Sequence, residues 1–142
     1  LADLGDGRTA ERAALGNVEA SREMTHARDL ARGIHLSLGR EEARDYVLGS
    51  GVLVRVRDFF DAAARAAGFD PGWEGDGLAA LCRDGAGGRV IARIDRRFFR
   101  PMREAPRRAD ATRARELLGW QARGDLEGLA GEMVRAAREG GG

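Results

Sequence analysis

Lysine is missing from this chain of 142 residues, and all 24 basic side chains are arginines, a bias that fits the base composition of a GC-rich genome. Tyrosine occurs once, as Tyr46 with Ser50 four residues on, so a Tyr-x-x-x-Lys catalytic pair cannot be built. No G-x-G-x-x-G occurs either, and neither Gly5-Asp6-Gly7 nor Gly85-Ala86-Gly87-Gly88 reads as the strand-to-helix turn that cradles a pyrophosphate. Cysteine is limited to Cys82, which excludes an intramolecular disulfide and suits a cytoplasmic setting. One cysteine with His26 and His35, far apart, does not make a zinc ligand set, so no metal site is expected. Hydrophobic runs are short, each broken within a few positions by Arg, Asp or Gly, which predicts a soluble protein without a membrane span. Net charge is nearly absent too. The arginines face 23 acidic residues for a total of +1, and aromatics make up only 6%, so neither the field nor the stacking platform of a nucleic-acid binder is present.

What the sequence does have is periodicity. With 43% hydrophobic and 33% charged residues, 142 residues suit a small globular domain. From Thr25 onward Ala27, Leu30, Ala31, Ile34 and Leu38 recur at helical spacing and predict a helix ending near Gly39. Asp45 to Leu48 reads as a short strand. Val56, Phe59, Phe60, Ala63, Ala64 and Ala67 predict a second helix stopping at Gly68. The Gly- and Asp-rich run 70–88 reads as loop with a short strand at Trp73-Glu74, and Val90, Ala92 and Ile94 alternate as a strand should. Pro101 and Pro106 enforce an extended passage able to present Arg100. Asp110 is placed to cap a helix carrying Ala114, Leu117 and Leu118, with Gly119 as its left-handed stop and Trp120 folding back on the last turn. Asp125 is placed to cap a last helix bearing Leu126, Leu129, Ala130, Met133, Val134 and Ala137.

Two segments carry more than periodicity. Ile94-Asp95-Arg96-Arg97-Phe98-Phe99-Arg100-Pro101 is followed by Leu117-Leu118-Gly119-Trp120, and upstream stands Leu15-Gly16-Asn17-Val18-Glu19-Ala20-Ser21-Arg22-Glu23-Met24-Thr25-His26-Ala27-Arg28-Asp29. From about Ala14 to Arg138 this pattern resembles the carboxyl-terminal part of the GDP-mannose 4,6-dehydratase family, within the extended short-chain dehydrogenases. The resemblance implies an α/β fold, mostly helical with a few short strands: a carboxyl-terminal substrate-binding subdomain whose Rossmann half is absent. It further implies conversion of GDP-mannose to GDP-4-keto-6-deoxymannose with NADP as cofactor, hydride leaving the sugar C4 and returning at C6. The missing catalytic pair and glycine loop predict that this chain alone is inactive and holds no catalytic or cofactor-binding residue. A start at Leu1 in charged sequence agrees with a segment of a longer chain.

For the site, the resemblance implies that Arg22 and Arg100 hold the diphosphate, a task suited to the forked donors of guanidinium. It places Asn17 beside the nucleotide, where a turn-forming asparagine is the plainer alternative. His26 reads as structural. Departures fall inside the motifs: Glu23-Met24 stands where the family has Asp-Trp, Arg55 where a capping serine is usual, and Arg103 where a glutamate would meet the ribose, leaving Glu104 as a substitute. The expected organisation is a lead-in over 1–13, a nucleotide-sugar-binding domain over 14–138 and a glycine tail over 139–142. Expected partners are GDP-mannose or a related nucleotide sugar, the missing dinucleotide-binding half, and further copies in a homo-oligomer. The readings kept beside it are another nucleotide-sugar short-chain dehydrogenase, such as an epimerase, and a degenerate, non-catalytic binding or oligomerisation module.

Overall fold

The computed structural model describes residues 12–101 and 105–140. Along the chain run β1 (Ala13–Leu15), β2 (Ser21–Glu23), α1 (Ala27–Leu38), β3 (Leu53–Arg55), α2 (Val56–Ala66), β4 (Pro71–Glu74), a 3-10 turn (Gly77–Ala79), β5 (Leu81–Asp84), β6 (Val90–Ile94), α3 (Thr112–Leu118) and α4 (Leu126–Glu139). Helices hold more residues than strands, and the class is α/β. The chain forms two compact units. The first takes its residues from Leu1–Ala20, Arg55–Glu104 and Leu126–Gly142, the second from Ser21–Val54 and Ala105–Asp125.

The first unit holds a four-stranded sheet in the order β1-β6-β5-β4. β1 runs parallel to β6, with Ala13 opposite Ala92, whereas β5 is antiparallel to both β4 and β6. As an inner strand β6 is covered on both faces, so Ile91 is as fully buried as Ala92 although alternation alone would turn it outward. α2 and α4 close the core over this sheet with Phe60, Ala63 and Ala64 from one helix, Ala67 at its C-cap, and Ala130 and Val134 from the other. Full burial of a side chain such as Phe60 contributes roughly 1.5–3 kcal/mol relative to exposure. A satellite cluster of Val18, Ala80 and Ile94 packs with Phe99 and ties the 3-10 turn to the end of β6.

The helix stripe 56–67 and the strands at Trp73-Glu74 and Val90–Ile94 stand where the sequence places them. Two expectations about strands and loops fail. Asp45 to Leu48 is not a strand; the strand before α2 is β3, fixed by pairing with β2, which local pattern does not reveal. The run 70–88 is not loop around one strand, because Leu81–Asp84 forms β5 against both β4 and β6. Cross-strand partners override the turn-rich composition there.

The second unit packs α1 against α3. α1 spans the predicted residues but buries a different face. Asp29 and Gly33 point inward, whereas Ile34 is 55% and Leu38 79% exposed. Gly33 leaves room for its neighbours: a Cβ there would lie 2.6 Å from Leu48 Cδ1 and 2.9 Å from Trp120 Nε1. Trp120 is 1% exposed. Its backbone N–H returns to the Ala114 carbonyl at 3.2 Å, as a fold-back on α3 requires, but its indole docks on α1, donating to the Asp29 carbonyl at 2.7 Å.

Candidate functional site

Arg100 closes a turn at the end of β6 that is braced three ways, all within the first unit. Asp95 N–H donates to the Leu15 carbonyl at 2.8 Å, which hangs the turn on β1. The Asp95 carbonyl then accepts from both Phe98 and Phe99 N–H at 3.0 Å. Its carboxylate accepts from the Arg97 N–H at 2.8 Å and, in a fork, from Arg97 Nε and Nη2, the last at 2.7 Å. An aspartate bonding the N–H two residues on is a standard turn former. The Arg97 side chain first, and its backbone N–H second, pull the Asp95 carboxyl down to about 2. The Arg97 guanidinium also lies 5.5 Å from the centre of the Phe98 ring, which is itself 54% exposed.

The segment after β1 locks the other side of this turn. At Gly16 a Cβ would come within 2.5 Å of the Phe98 carbonyl oxygen, a clash that only glycine avoids. Next to it Asn17 donates from Nδ2 to the Arg100 carbonyl at 3.3 Å and accepts the Glu19 N–H on Oδ1 at 3.1 Å. The structure therefore brings Asn17 and Arg100 together, through backbone. The small residue in Leu-Gly-Asn serves a close approach of two chain segments. The Arg100 guanidinium itself is exposed.

The same stretch starts α2. Val56 and Arg57, whose N–H groups have no partner inside the helix, donate to the carbonyls of Ala20 and Val18 at 2.9 Å each. That explains how Arg55 can stand at the N-cap with no capping side-chain bond. It forms instead a fork on Asp58, with Nε and Nη2 at 3.0 and 2.7 Å.

Arg22 belongs to the second unit, on β2, exposed, with its guanidinium on the neighbouring Ser21 carbonyl at 3.0 Å. Glu23, seen in sequence only as a departure from a motif, organises this unit. Its carboxylate accepts Gly51 N–H at 3.0 Å and Ala109 N–H at 2.6 Å, stitching two loops to β2. His26 is the N-cap of α1, its Nδ1 accepting Arg28 N–H at 3.0 Å, in line with a structural role. Asp110 caps in part, accepting Thr112 N–H at 2.9 Å, while Ala111 holds the N-cap position of α3. A recess of about 540 Å³ at Arg40, Glu42, Arg44, Tyr46 and Leu117 contains none of the predicted site residues. Glu104 and Arg103 lie outside the described residues.

Glycines with positive φ sit at hairpin turns, helix ends and a strand entry, at Gly51, Gly68, Gly75, Gly77, Gly85, Gly87 and Gly119. None joins a strand to an α-helix N-terminus, and α2 follows β3 directly, so the described residues do not fit a dinucleotide pyrophosphate. Among the described residues no group of three or more His, Cys, Asp or Glu could hold a metal ion, and no helix is long and apolar enough to cross a membrane. Burial pushes the Cys82 thiol up to about 11, so it stays protonated at neutral pH.

Solved structures of low sequence identity share this fold. RMD from Pseudomonas aeruginosa, solved with NADPH, superposes with a TM-score of 0.74 at 16% identity, over 97% of this chain and 39% of that one. UDP-glucose 4-epimerase from Bifidobacterium longum, solved with NAD+ and UDP, gives 0.67 at 22% identity, over 97% and 38%. A profile of the family described as GDP-mannose 4,6 dehydratase matches residues 3–133. The GDP-mannose 4,6-dehydratase of Sinorhizobium fredii is 38% identical over 121 residues, covering 85% of this chain and 34% of that protein. The human GDP-mannose 4,6 dehydratase is 31% identical over 122 residues, covering 86% and 33%. The chain belongs to the GDP-mannose 4,6-dehydratase family and spans about a third of the length of these relatives.

Proposed function

We propose that this chain is the nucleotide-sugar-binding part of a GDP-mannose 4,6-dehydratase, a hydro-lyase, its domain spanning 14–138. The observation that carries the reading is the braced turn ending in Arg100, which holds a guanidinium on a fixed backbone beside Asn17 within a family matched over 3–133. A diphosphate offers closely spaced oxygens to which such a group donates forked, charge-assisted bonds. Arg22 is the second proposed diphosphate ligand, and Glu104 the proposed ribose contact. NADP, with the hydride transfer it supplies, belongs to a dinucleotide-binding half of the longer protein, and the chain by itself is inactive. The exposed stripe of Ala27, Ala31, Ile34 and Leu38 on α1 is the surface this reading offers to that half.

Calorimetric titration of the purified chain with GDP tests the proposal. Binding is expected, and Arg100→Ala and Arg22→Ala each weaken it about 10- to 150-fold, the scale of a hydrogen bond to a charged group. Unchanged affinity in both variants would return the two arginines to the solvated surface.

A further inference from the structure

Asn17 touches no other side chain in the bonds that fix it. Both ends of its amide are bound to backbone: Oδ1 accepts the Glu19 N–H at 3.1 Å, and Nδ2 donates to the Arg100 carbonyl at 3.3 Å. These two bonds settle which way the amide faces, since reversal would set carbonyl against carbonyl and N–H against N–H. Both polar atoms are thereby engaged inside the protein. One residue back, the space where a Gly16 Cβ would sit is closed to 2.5 Å by the Phe98 carbonyl. The Gly16-Asn17 corner therefore grips the Phe98–Arg100 strip at two points, one steric and one hydrogen-bonded. The opposite end of the strip is held by Asp95, through Leu15 and Arg97.

We infer that Asn17 is a positioning residue for Arg100, acting through the Arg100 backbone and not by contact with the nucleotide. It rests on Arg100 binding the diphosphate, as proposed above. A guanidinium at the end of a flexible side chain delivers forked geometry only if its Cα is fixed, because orientation errors of a fraction of an ångström already weaken the bond. Asn17 removes one freedom of that Cα by holding the carbonyl beside it. The distinction from a direct contact is measurable, since an effect exerted through Arg100 vanishes when the Arg100 side chain is gone.

The test is a double-mutant cycle on the 142-residue chain with GDP as ligand, read by calorimetry. Asn17→Ala is expected to weaken GDP binding about 3- to 10-fold. In an Arg100→Ala background the same change is expected to weaken it less than about twofold. A second measurement needs no ligand. In Asn17→Ala, and in Asn17→Asp, which keeps the Glu19 bond but loses the donor, the Phe98 and Phe99 amides are expected to exchange several-fold faster with solvent, with β6 amides unchanged. Equal losses from Asn17→Ala in both backgrounds would show that Asn17 meets the nucleotide itself or serves folding at large, and would overturn the inference while leaving the diphosphate site standing. Unchanged exchange at Phe98 and Phe99 would overturn it as well. If Arg100→Ala binds GDP as the unaltered chain does, or the unaltered chain does not bind it, the proposed site falls and this inference falls with it.

Discussion

Asp29 is a buried charged side chain, 7% exposed, and its carboxylate explains how the second unit tolerates it. Oδ2 accepts the N–H groups of Arg123 and Gly124 at 2.8 and 3.0 Å, and Arg32 Nη2 lies 3.6 Å from Oδ1. Burial alone would raise its pKa, but the bonds from Gly124 and Arg123 together with Arg32 hold it below the ordinary carboxylate value. Asp29→Ala leaves two loop donors without their acceptor and is expected to cost about 1–3 kcal/mol of unfolding free energy, measurable by urea titration. Because the folded pKa is the lower one, the stabilisation is complete above about pH 4 and fades as pH falls through the folded value. A pH-independent difference between the two proteins from pH 5 to pH 3 would contradict that account. In sequence Asp29 was legible as part of a motif and not as a buried acceptor, since its partners lie far along the chain. Asn17 shows the converse. Its place in the Leu-Gly-Asn motif was legible, but its hold on the Arg100 backbone depends on β1 lying beside β6.

Helices were legible because a 3.6-residue period is local, and α1 and α2 fall within a residue or two of their predicted limits. The face of α1 was not. Hydrophobicity ranks Ile34 and Leu38 first, whereas the indole of Trp120 and the side chain of Leu48 need the gap that Gly33 provides. The stop of α3 was fully readable. Gly119 has φ 62 and ψ 23, the left-handed cap, and its N–H bonds the Arg115 carbonyl at 3.1 Å. Gly119→Ala is expected to cost roughly 1–2 kcal/mol through the left-handed backbone alone, since no atom lies within 4 Å of the added Cβ. Thermal unfolding should register it, and an unchanged midpoint would show that the cap relaxes to another geometry. Strand β5 was hidden because pairing, not pattern, makes it.

For the whole molecule the telling feature is how the chain is shared between the units. It leaves the first after Ala20, returns at Arg55, leaves again after Glu104 and returns at Leu126. Neither unit is a continuous stretch that could be cut out. A chain ending at Asp125 lacks α4, and with it Ala130 and Val134, 0% and 6% exposed in the core. Losing Val134 alone removes roughly 1.5–3 kcal/mol of burial, and the apolar face of α2 is uncovered as well. That truncated chain is expected to melt at least about 10 °C lower than the whole. An equal melting midpoint would show that α4 contributes little to the first unit. Composition pointed to a small globular domain and the family resemblance to an α/β fold, but neither to a division that depends on which distant segments meet.

The parallel pairing of β1 with β6, Ala13 opposite Ala92, also has a meaning in time. During synthesis β1 leaves the ribosome first and waits on the order of several seconds, at 5–20 residues per second, before its partner strand exists. Closing so long a loop costs more chain entropy than making either hairpin of the sheet, so that strand is expected to join after them. The corner that steadies Arg100 depends on that closure and is therefore expected to form after both hairpins of the sheet.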